Sequence, residues 1–357
     1  MKVIIRTDAS IEIGTGHVMR CITLAKQLRN DGATVVFVCR NFPGNSIAFI
    51  GKEGFTVASL PYEGEGNNTE WVRNNWEKDV EDTNSILKEL NQGIDMLIVD
   101  HYGLDIRWET KMRSFVNKIM VIDDLADRPH GCDLLLDQNY YLNMDLRYSN
   151  LLSDSCIQLL GPDYVLLRDE FLNVDVNQVK RTGEINNILI FFGGSDPTGE
   201  TLKALKAIRD LDVTEINVVV GAMNPQKDQV EKLCNELPNV TFHCQINNMA
   251  KFMLKADLAI GAGGATTWER CFLRLPSLVT IVAPNQLKLT TDMASTGSLI
   301  NLGYYDEVTV SRMNQVLTRL LKQPQEMTKM ITKCSAILNT ERVRQNLVLT
   351  KIVEMSR

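Results

Sequence analysis

Short apolar runs alternate with longer amphipathic stretches along most of the chain. After the first run, at 2–6, Val18, Ile22, Ala25 and Leu28 recur at spacings of three and four. This spacing places them on one face of a predicted helix over 16–29. The apolar runs themselves predict strands at 2–6, 34–39, 55–60, 96–100, 118–123, 133–137, 188–192, 215–220, 241, 258–261 and 277–282. Because strands and helices alternate, we expect α/β architecture with parallel sheets covered on both faces.

One polar stretch interrupts this alternation. Residues 173–187 show neither a helical nor a strand period, which is typical of a linker. The predicted organisation is a Rossmann-like domain over 1–175, a linker over 176–187, a second Rossmann-like domain over 188–340 and a C-terminal helix over 341–357. Two such domains are expected to leave a cleft between them, with ligand loops at the carboxyl ends of both sheets.

Composition narrows the class of protein. The length of 357 residues suits two domains, and 44% hydrophobic with 23% charged residues is ordinary for a folded chain. The longest apolar stretch, 276–284, is about half the length needed to cross a bilayer. Charged residues at Arg6 and Asp8 interrupt any signal-peptide core. Eight scattered cysteines form no CxxC pair, so we expect reduced thiols in a cytoplasmic protein that neither spans nor binds a membrane.

The charge is unevenly distributed. The net charge of −6 argues against nucleic acid as a partner. Residues 1–175 carry a balance of −10, whereas residues 176–357 carry +4. The second half is therefore the better candidate host for an anionic ligand, although chance and solubility explain the same asymmetry.

Three glycine-rich turns follow predicted strands. They lie at 14–17 (GTGH), 193–196 (GGSD) and 261–266 (GAGGAT). Such turns allow a ligand to approach the backbone and to meet the N–H groups of a helix start, where phosphate binds well. Glycine can also serve only to pack a strand against a helix. The chain has no GxxxxGK[ST] motif and its first turn breaks GxGxxG at Met19, which disfavours a Walker-type loop and hydride transfer.

His17 is the candidate base. It lies at the start of a predicted helix, beside two glycines and after the first strand. The positive helix end disfavours the imidazolium, so the ring is expected to be neutral and able to accept a proton. A histidine hydrogen-bonded to backbone at a helix start is the alternative. A metal site made of His130, Cys132, Asp123 and Asp124 is disfavoured because no spacing brings these residues together.

Other polar residues follow predicted strands. Glu269 lies three residues after Thr266, where its carboxylate could accept from both hydroxyls of a ribose. It could equally favour only its own helix N-terminus. Tyr102, Asn285 and Gln286 add hydroxyl and amide groups at other strand ends.

Seven motifs resemble one known family. They are RTDASIEIGTGHVMR at 6–20, DHYG at 100–103, DD at 123–124, LGPDYVLLRDEF at 160–171, FGGSDP at 192–197, GGATTWERC at 263–271 and NQ at 285–286. Together they look like the UDP-2,4-diacetamido-2,4,6-trideoxy-β-L-altropyranose hydrolases of pseudaminic acid biosynthesis, a sugar that decorates flagellin and cell surfaces. The resemblance covers nearly the whole chain and the motifs keep their order. It implies a GT-B fold of two Rossmann-like domains.

The resemblance also implies roles for individual residues. His17 matches the general base, Tyr102 and Asn285 match active-site polar residues, and Glu269 matches the glutamate that holds the ribose. The backbone near Ile246 matches the stretch that receives uracil. The expected substrate-binding set also includes Gly14, Gly16, Arg168, Gly194, Ser195, Gly263, Gly264, Ala265 and Thr266.

The implied reaction is water attack on the anomeric carbon of a small-molecule UDP-sugar, with inversion. UDP is a good leaving group, so one base suffices, and the scheme requires no metal and no cofactor. An inverting UDP-sugar glycosyltransferase of the same fold is the nearest alternative, although the acidic first half argues against a membrane acceptor. A non-catalytic nucleotide-sugar sensor is the other, and it would bind without turnover.

Overall fold

The structure is a computed structural model that describes residues 1–10, 12–65, 68–90 and 93–356. The chain divides into two compact units. The first comprises Met1–Asn139, Asn143–Leu166 and Gln345–Arg357, of which Arg357 lies outside the described residues. The second comprises Tyr140–Leu142 and Leu167–Arg344.

The first unit is built on a seven-stranded parallel sheet. Its elements are β1 Lys2–Thr7, α1 Gly16–Asn30, β2 Thr34–Arg40, α2 Ile47–Lys52, β3 Thr56–Leu60, α3 Asn68–Asn74, α4 Trp76–Glu89, β4 Met96–Asp100, α5 Ile106–Met112, β5 Lys118–Ile122, β6 Leu134–Asp137 and β7 Ile157–Leu160. The strand order is β3-β2-β1-β4-β5-β6-β7. The order reverses between β1 and β4, and ligands of open α/β sheets bind at the carboxyl ends of the strands at such a point.

Both faces of this sheet are buried. Along β1, Val3 and Ile5 pack into one core with α1, while Ile4 packs into the opposite core with Trp108 of α5. Alternate residues of a strand point to opposite faces, so a strand buried on both faces is apolar at every position. This explains the continuous apolar runs seen in the sequence.

The second unit holds a six-stranded parallel sheet of order β10-β9-β8-β11-β12-β13. Its elements are α6 Asp169–Leu172, β8 Asn187–Phe191, α7 Glu200–Ile208, β9 Glu215–Val220, α8 Lys227–Asn235, β10 Val240–Cys244, α9 Met249–Lys255, β11 Leu258–Ala262, α10 Thr266–Phe272, β12 Ser277–Ile281, α11 Gln286–Ser295, β13 Ile300–Tyr304, α12 Val310–Lys322, α13 Pro324–Ile337 and α14 Thr340–Arg344. Its order reverses between β8 and β11. The last helix, α15 Leu347–Met355, packs instead on the core of the first unit through Val348 and Ile352.

The prediction of two parallel-sheet α/β units is confirmed, and the structure differs from the sequence pattern in detail. The edge strands β7 and β13 were not predicted. The units change at Leu166, earlier than residue 175, and the predicted final helix over 341–357 is two helices, α14 and α15. No helix in the described part of the chain is long and apolar enough to cross a bilayer.

Candidate functional site

A cluster of hydrogen-bonded polar side chains lies in the first unit where its strand order reverses. His17 is in the first turn of α1, which follows β1, and Asp100 is the last residue of β4. The two strands are hydrogen-bonded neighbours, with Thr7 opposite Asp100. The topology therefore brings together residues that lie more than eighty positions apart in the sequence.

His17 is held by a carboxylate. Its Nδ1 lies 2.5 Å from Oδ1 of Asp100, and both side chains are buried. An ionised carboxylate can only accept a hydrogen bond, so Nδ1 carries the proton and the opposite nitrogen, Nε2, has a free lone pair. The partner of His17 is thus a carboxylate and not the backbone group that the alternative interpretation required.

Arg20, one turn further along α1, donates hydrogen bonds to the same carboxylate. Its Nε and Nη2 donate to the two oxygens of Asp100 at 2.6 and 2.7 Å. Burial favours the neutral carboxyl, but the charge of Arg20 and the hydrogen bonds from Arg20 and His17 outweigh it and hold the pKa of Asp100 well below its usual range. Asp100 therefore remains a hydrogen-bond acceptor at neutral pH.

A second carboxylate extends the cluster to Tyr102. Asp124 accepts from Nη1 of Arg20 at 2.9 Å and from the hydroxyl of Tyr102 at 2.6 Å. Burial is again outweighed by Arg20, and the pKa of Asp124 is lowered. The Tyr102 and His17 rings meet edge to face with centroids 4.4 Å apart. The structure thus brings together two of the three residues predicted to be catalytic.

The DHYG motif is explained by the turn after β4. His101 accepts at Nδ1 from the N–H of Gly103 at 2.9 Å, which closes a turn around Tyr102. A Cβ on Gly103 would lie 2.7 Å from the carbonyl oxygen of Thr69, so the backbone approach requires glycine. The four residues therefore act together to place Tyr102 beside His17.

A Cβ added at either glycine of the first turn would meet open space, but only Gly14 has a left-handed backbone conformation. Gly14 has a φ of +75° and donates its N–H to the carbonyl of Ser10 at 2.9 Å. Gly16 begins α1, and a Cβ built on it would meet open space. The turn therefore needs Gly14 for its conformation, while ligand contact by either glycine stays a prediction.

The residues of the disfavoured metal alternative have protein partners. His130 Nδ1 lies 2.7 Å from Glu109, and Cys132 Sγ lies 3.6 Å from Cys156 Sγ. Asp123 pairs with Arg128 at 3.0 Å. Within the described ranges no group of three or more His, Cys, Asp or Glu side chains is arranged to hold a metal ion.

In the second unit the glycine turn 261–266 follows β11 at the point where the strand order reverses. A Cβ on Gly263 would collide with the hydroxyl of Thr290, whereas a Cβ on Gly264 would have its nearest neighbour 3.8 Å away. Gln286 Oε1 accepts from the N–H groups of Gly263 and Val282 at 3.2 and 3.1 Å. One face of the turn is therefore fixed against α11, and at Gly264 the other face is open.

Arg270 lies beneath this turn, with only 2% of its surface exposed. Its guanidinium donates to neutral acceptors, namely the carbonyl of Ala262 and the hydroxyls of Thr266 and Thr267. Burial without a directly bonded carboxylate lowers the pKa of Arg270 to about 10. The guanidinium remains charged at neutral pH, so a positive charge lies beneath the turn.

Glu269, on α10, is held on one side only. Its Oε1 accepts from Nε and Nη2 of Arg168 at 3.0 and 2.8 Å. Among the described residues Oε2 has no hydrogen-bond partner, and burial outweighs Arg168 and raises the pKa of the carboxyl. Arg168 pairs with Glu269 and, at 2.5 Å, with Glu170, and its contact with substrate stays a prediction. The free oxygen of Glu269 can accept from a ligand hydroxyl.

The glycine turn after β8 differs from the expectation. Asp196 accepts from the N–H groups of Glu200 and Thr201 at 3.0 and 2.8 Å, so its carboxylate caps α7. The helix-start donors expected to meet a phosphate are already occupied there. Gly194 and Ser195 lie on the turn before this cap, with Gly194 exposed.

Two further predicted residues lie in loops. Asn285 is exposed and precedes α11, and Ile246 is half-buried between β10 and α9. Ala265 is exposed beside Gly264 on the turn after β11. Their contacts with a ligand stay predictions.

Sequence reasoning missed Asp100, Arg20, Asp124 and Arg270. Each lies inside a quoted motif, but none was given a role there except Asp124, which appeared only in the disfavoured metal alternative. Asp100 ends an apolar strand and Arg20 follows His17 by three positions on one helix face, which are the signals that could have paired them.

Comparisons with known proteins agree with this architecture. The model of the glycosyltransferase family 28 C-terminal domain matches residues 188–346. MurG of Acinetobacter baumannii superposes with a TM-score of 0.65 at 18% identity, over 99% of each chain. A spinosyn rhamnosyltransferase complexed with thymidine diphosphate gives 0.59 at 15% identity, over 98% of this chain and 100% of that one. The fold is GT-B.

Curated relatives carry different names. An uncharacterized protein of Methanocaldococcus jannaschii is 29% identical over 81% of this chain, and the match spans 57% of that protein's length. The UDP-2,4-diacetamido-2,4,6-trideoxy-beta-L-altropyranose hydrolase of Campylobacter jejuni is 26% identical over 85% of this chain and all of its own. This chain is therefore similar to a glycosyltransferase domain over residues 188–346 and, over most of its length, to a protein named as a UDP-sugar hydrolase.

Proposed function

We propose that this protein hydrolyses UDP-2,4-diacetamido-2,4,6-trideoxy-β-L-altropyranose to UDP and the free sugar, with inversion at the anomeric carbon. The observation that carries the proposal is the Asp100–His17 pair at 2.5 Å, which leaves Nε2 of His17 as a proton acceptor. The family resemblance of the motifs and the name of the Campylobacter jejuni relative supply the substrate class.

In this proposal the first unit activates water. Nε2 of His17 removes a proton while the water oxygen forms a bond to the anomeric carbon. The bond from that carbon to the diphosphate oxygen breaks, and its electron pair leaves with UDP. Asp100 accepts the Nδ1 hydrogen bond throughout and stabilises the imidazolium that forms.

The second unit holds the nucleotide. Oε2 of Glu269 is buried without a partner among the described residues, so it can accept from the ribose hydroxyls. The open face at Gly264 allows a diphosphate to approach backbone N–H groups, and the charge of Arg270 beneath it favours an anion. Stabilisation of the departing diphosphate by such fixed groups lowers the barrier to cleavage.

Inverting transfer from a UDP-sugar is the second candidate. The family 28 match over 188–346 and the rhamnosyltransferase neighbour favour it. A transferase would use the same nucleotide unit, and His17 would deprotonate an acceptor hydroxyl in place of water.

One incubation separates the two functions. The protein is mixed with the diacetamido UDP-sugar and with its epimers in buffer that contains no acceptor, and products are followed by NMR. Hydrolysis predicts stoichiometric UDP and free sugar from one stereoisomer. Absence of UDP release from all of them would overturn the proposal, and release only after an acceptor is added would establish transfer.

A further inference from the structure

Arg20 donates hydrogen bonds to both carboxylates beside His17, Asp100 and Asp124. Two of its nitrogens bind Asp100 and the third, Nη1, binds Asp124 at 2.9 Å. Only 9% of the residue is exposed, so the guanidinium is largely withdrawn from water. The planar fork of arginine fits both carboxylates at once, which the ammonium group of lysine cannot do with the same geometry.

Each carboxylate connects Arg20 to His17, Asp100 directly and Asp124 through Tyr102. Asp100 accepts a hydrogen bond from Nδ1 of His17. Asp124 receives the hydroxyl of Tyr102, whose ring meets the imidazole edge to face at 4.4 Å. A change at Arg20 therefore disturbs the two contacts that fix the imidazole.

Arg20 offsets one of the two negative charges that face the imidazole. Two carboxylates face it, Asp100 from the end of β4 and Asp124 from the loop after β5. From α1 the neighbours are Arg20 and the thiol of Cys21, which donates to Asp100 at 3.4 Å and whose pKa is raised by burial, so it stays neutral. Tyr102 contributes a hydroxyl that donates to Asp124.

Arg20 is also close to the imidazole itself. Its Nη2 lies 3.1 Å from Nδ1 of His17. Because Nδ1 donates to Asp100, this approach is a contact between a cation and the ring, and it opposes a second proton on the ring. Without it, two carboxylates would favour the imidazolium, which cannot act as a base.

We propose that Arg20 is a positioning residue for this reaction, which fixes Asp100 and Asp124 around His17 and places a positive charge beside the imidazole. This inference rests on the proposed hydrolysis. It assigns Arg20 no contact with substrate.

The test compares Arg20→Lys and Arg20→Met with Arg128→Lys. Arg128 is a matched control because it is equally buried and pairs with Asp123 near the same sheet edge, while its other nitrogens donate to the carbonyls of Leu104 and His101 and not to His17. We expect kcat to fall on the order of 10²-fold in both Arg20 variants while KM changes little, since the base is misplaced but the nucleotide unit is intact. The acid limb of the kcat profile should move to higher pH, further in Arg20→Met than in Arg20→Lys.

Folding is checked by UDP affinity and near-UV circular dichroism. If Arg20→Met does not fold, the double variant Arg20→Met/Asp100→Asn removes one charge of each sign, and the Lys variant still reports the pH limb. An unmoved acid limb in the folded Arg20 variants, or an equal shift in Arg128→Lys, would overturn the inference. If the unaltered protein releases no UDP, the proposed function itself fails; if His17→Asn keeps full turnover, the base role fails; if only His17→Asn is impaired, the failure is confined to Arg20.

Discussion

The carboxyl edges of the two sheets differ in how their polar groups are paired. At the first, Asp100 and Asp124 accept from Arg20, His17 and Tyr102 in one closed network. At the second, Oε2 of Glu269 and Nε of Arg270 are buried without hydrogen-bond partners among the described residues. A closed network keeps a reacting group in one position, whereas unsatisfied buried groups gain most when a ligand arrives. We therefore propose proton transfer for the first unit and nucleotide binding for the second.

The largest expected effect separates these two roles. His17→Asn should lower turnover on the order of 10²–10⁴-fold, because asparagine cannot accept a proton from water. UDP affinity, measured by calorimetry, should be unchanged because the nucleotide unit is untouched. His243→Asn is the control, since His243 lies on β10 and bonds Asn217 at 2.7 Å. Retained turnover in His17→Asn would remove it from the base role.

The second expected effect is on binding. Glu269→Ala should weaken UDP binding by about 10–100-fold, the equivalent of about 1.5–3 kcal/mol for hydrogen bonds to a charged group. Turnover of bound substrate should change less. Glu170→Gln is the matched control because Glu170 also pairs with Arg168 and its other oxygen is occupied by the N–H of Ala250. Unchanged UDP affinity in Glu269→Ala would refute the ribose assignment.

Neighbouring glycines should respond differently to one methyl group. Gly264→Ala should weaken UDP binding by roughly 1 kcal/mol, the net value of one hydrogen bond, and leave thermal stability unaltered because the added Cβ has space. Gly263→Ala should lower stability by about 1–3 kcal/mol through overpacking against Thr290. Calorimetry with UDP and thermal unfolding measure the two. Equal losses of stability would contradict the idea of one open face.

The smallest effect concerns pH. The pKa values of Asp8 and Asp100 in the first unit are well below the usual carboxyl range, because neighbouring arginines outweigh burial. Their stabilisation is complete above the unfolded pKa near 4 and is lost as pH falls below it. The pKa values of Glu200 and Glu269 in the second unit are raised mainly by burial, so their contribution to stability increases as pH falls from neutral towards 4.

Hydrogen exchange followed by mass spectrometry checks this contrast once rates are corrected for intrinsic exchange. Below about pH 4, peptides from β1 and β4 should lose protection before those from β8 and β11. Above about pH 4, Asp137 of the first unit has the opposite effect on stability, because burial beside Asp124 raises its pKa to about 7. Earlier loss of protection in the second sheet would contradict the contrast.

Much of the fold could be predicted because central strands are buried on both faces and appear as apolar runs. The missed strands, β7 and β13, are at sheet edges, where Ile157 and Gln158 are exposed and the run is short. Of the candidate site, His17 was singled out because it stands beside glycines after a strand, and Tyr102 because it follows another strand. The carboxylates Asp100 and Asp124 were not, because buried ion pairs join positions that no local spacing relates, and Arg20, three positions after His17, was given no role.

The central claim is that water activated by His17 attacks the anomeric carbon. The direct measurement is turnover of the diacetamido UDP-sugar in ¹⁸O-labelled water, with the label located by mass spectrometry and the first-formed anomer identified by NMR. Our account predicts that ¹⁸O appears in the free sugar, with inverted configuration, and that UDP is unlabelled. Label in the phosphate of UDP, or retained configuration, would contradict it.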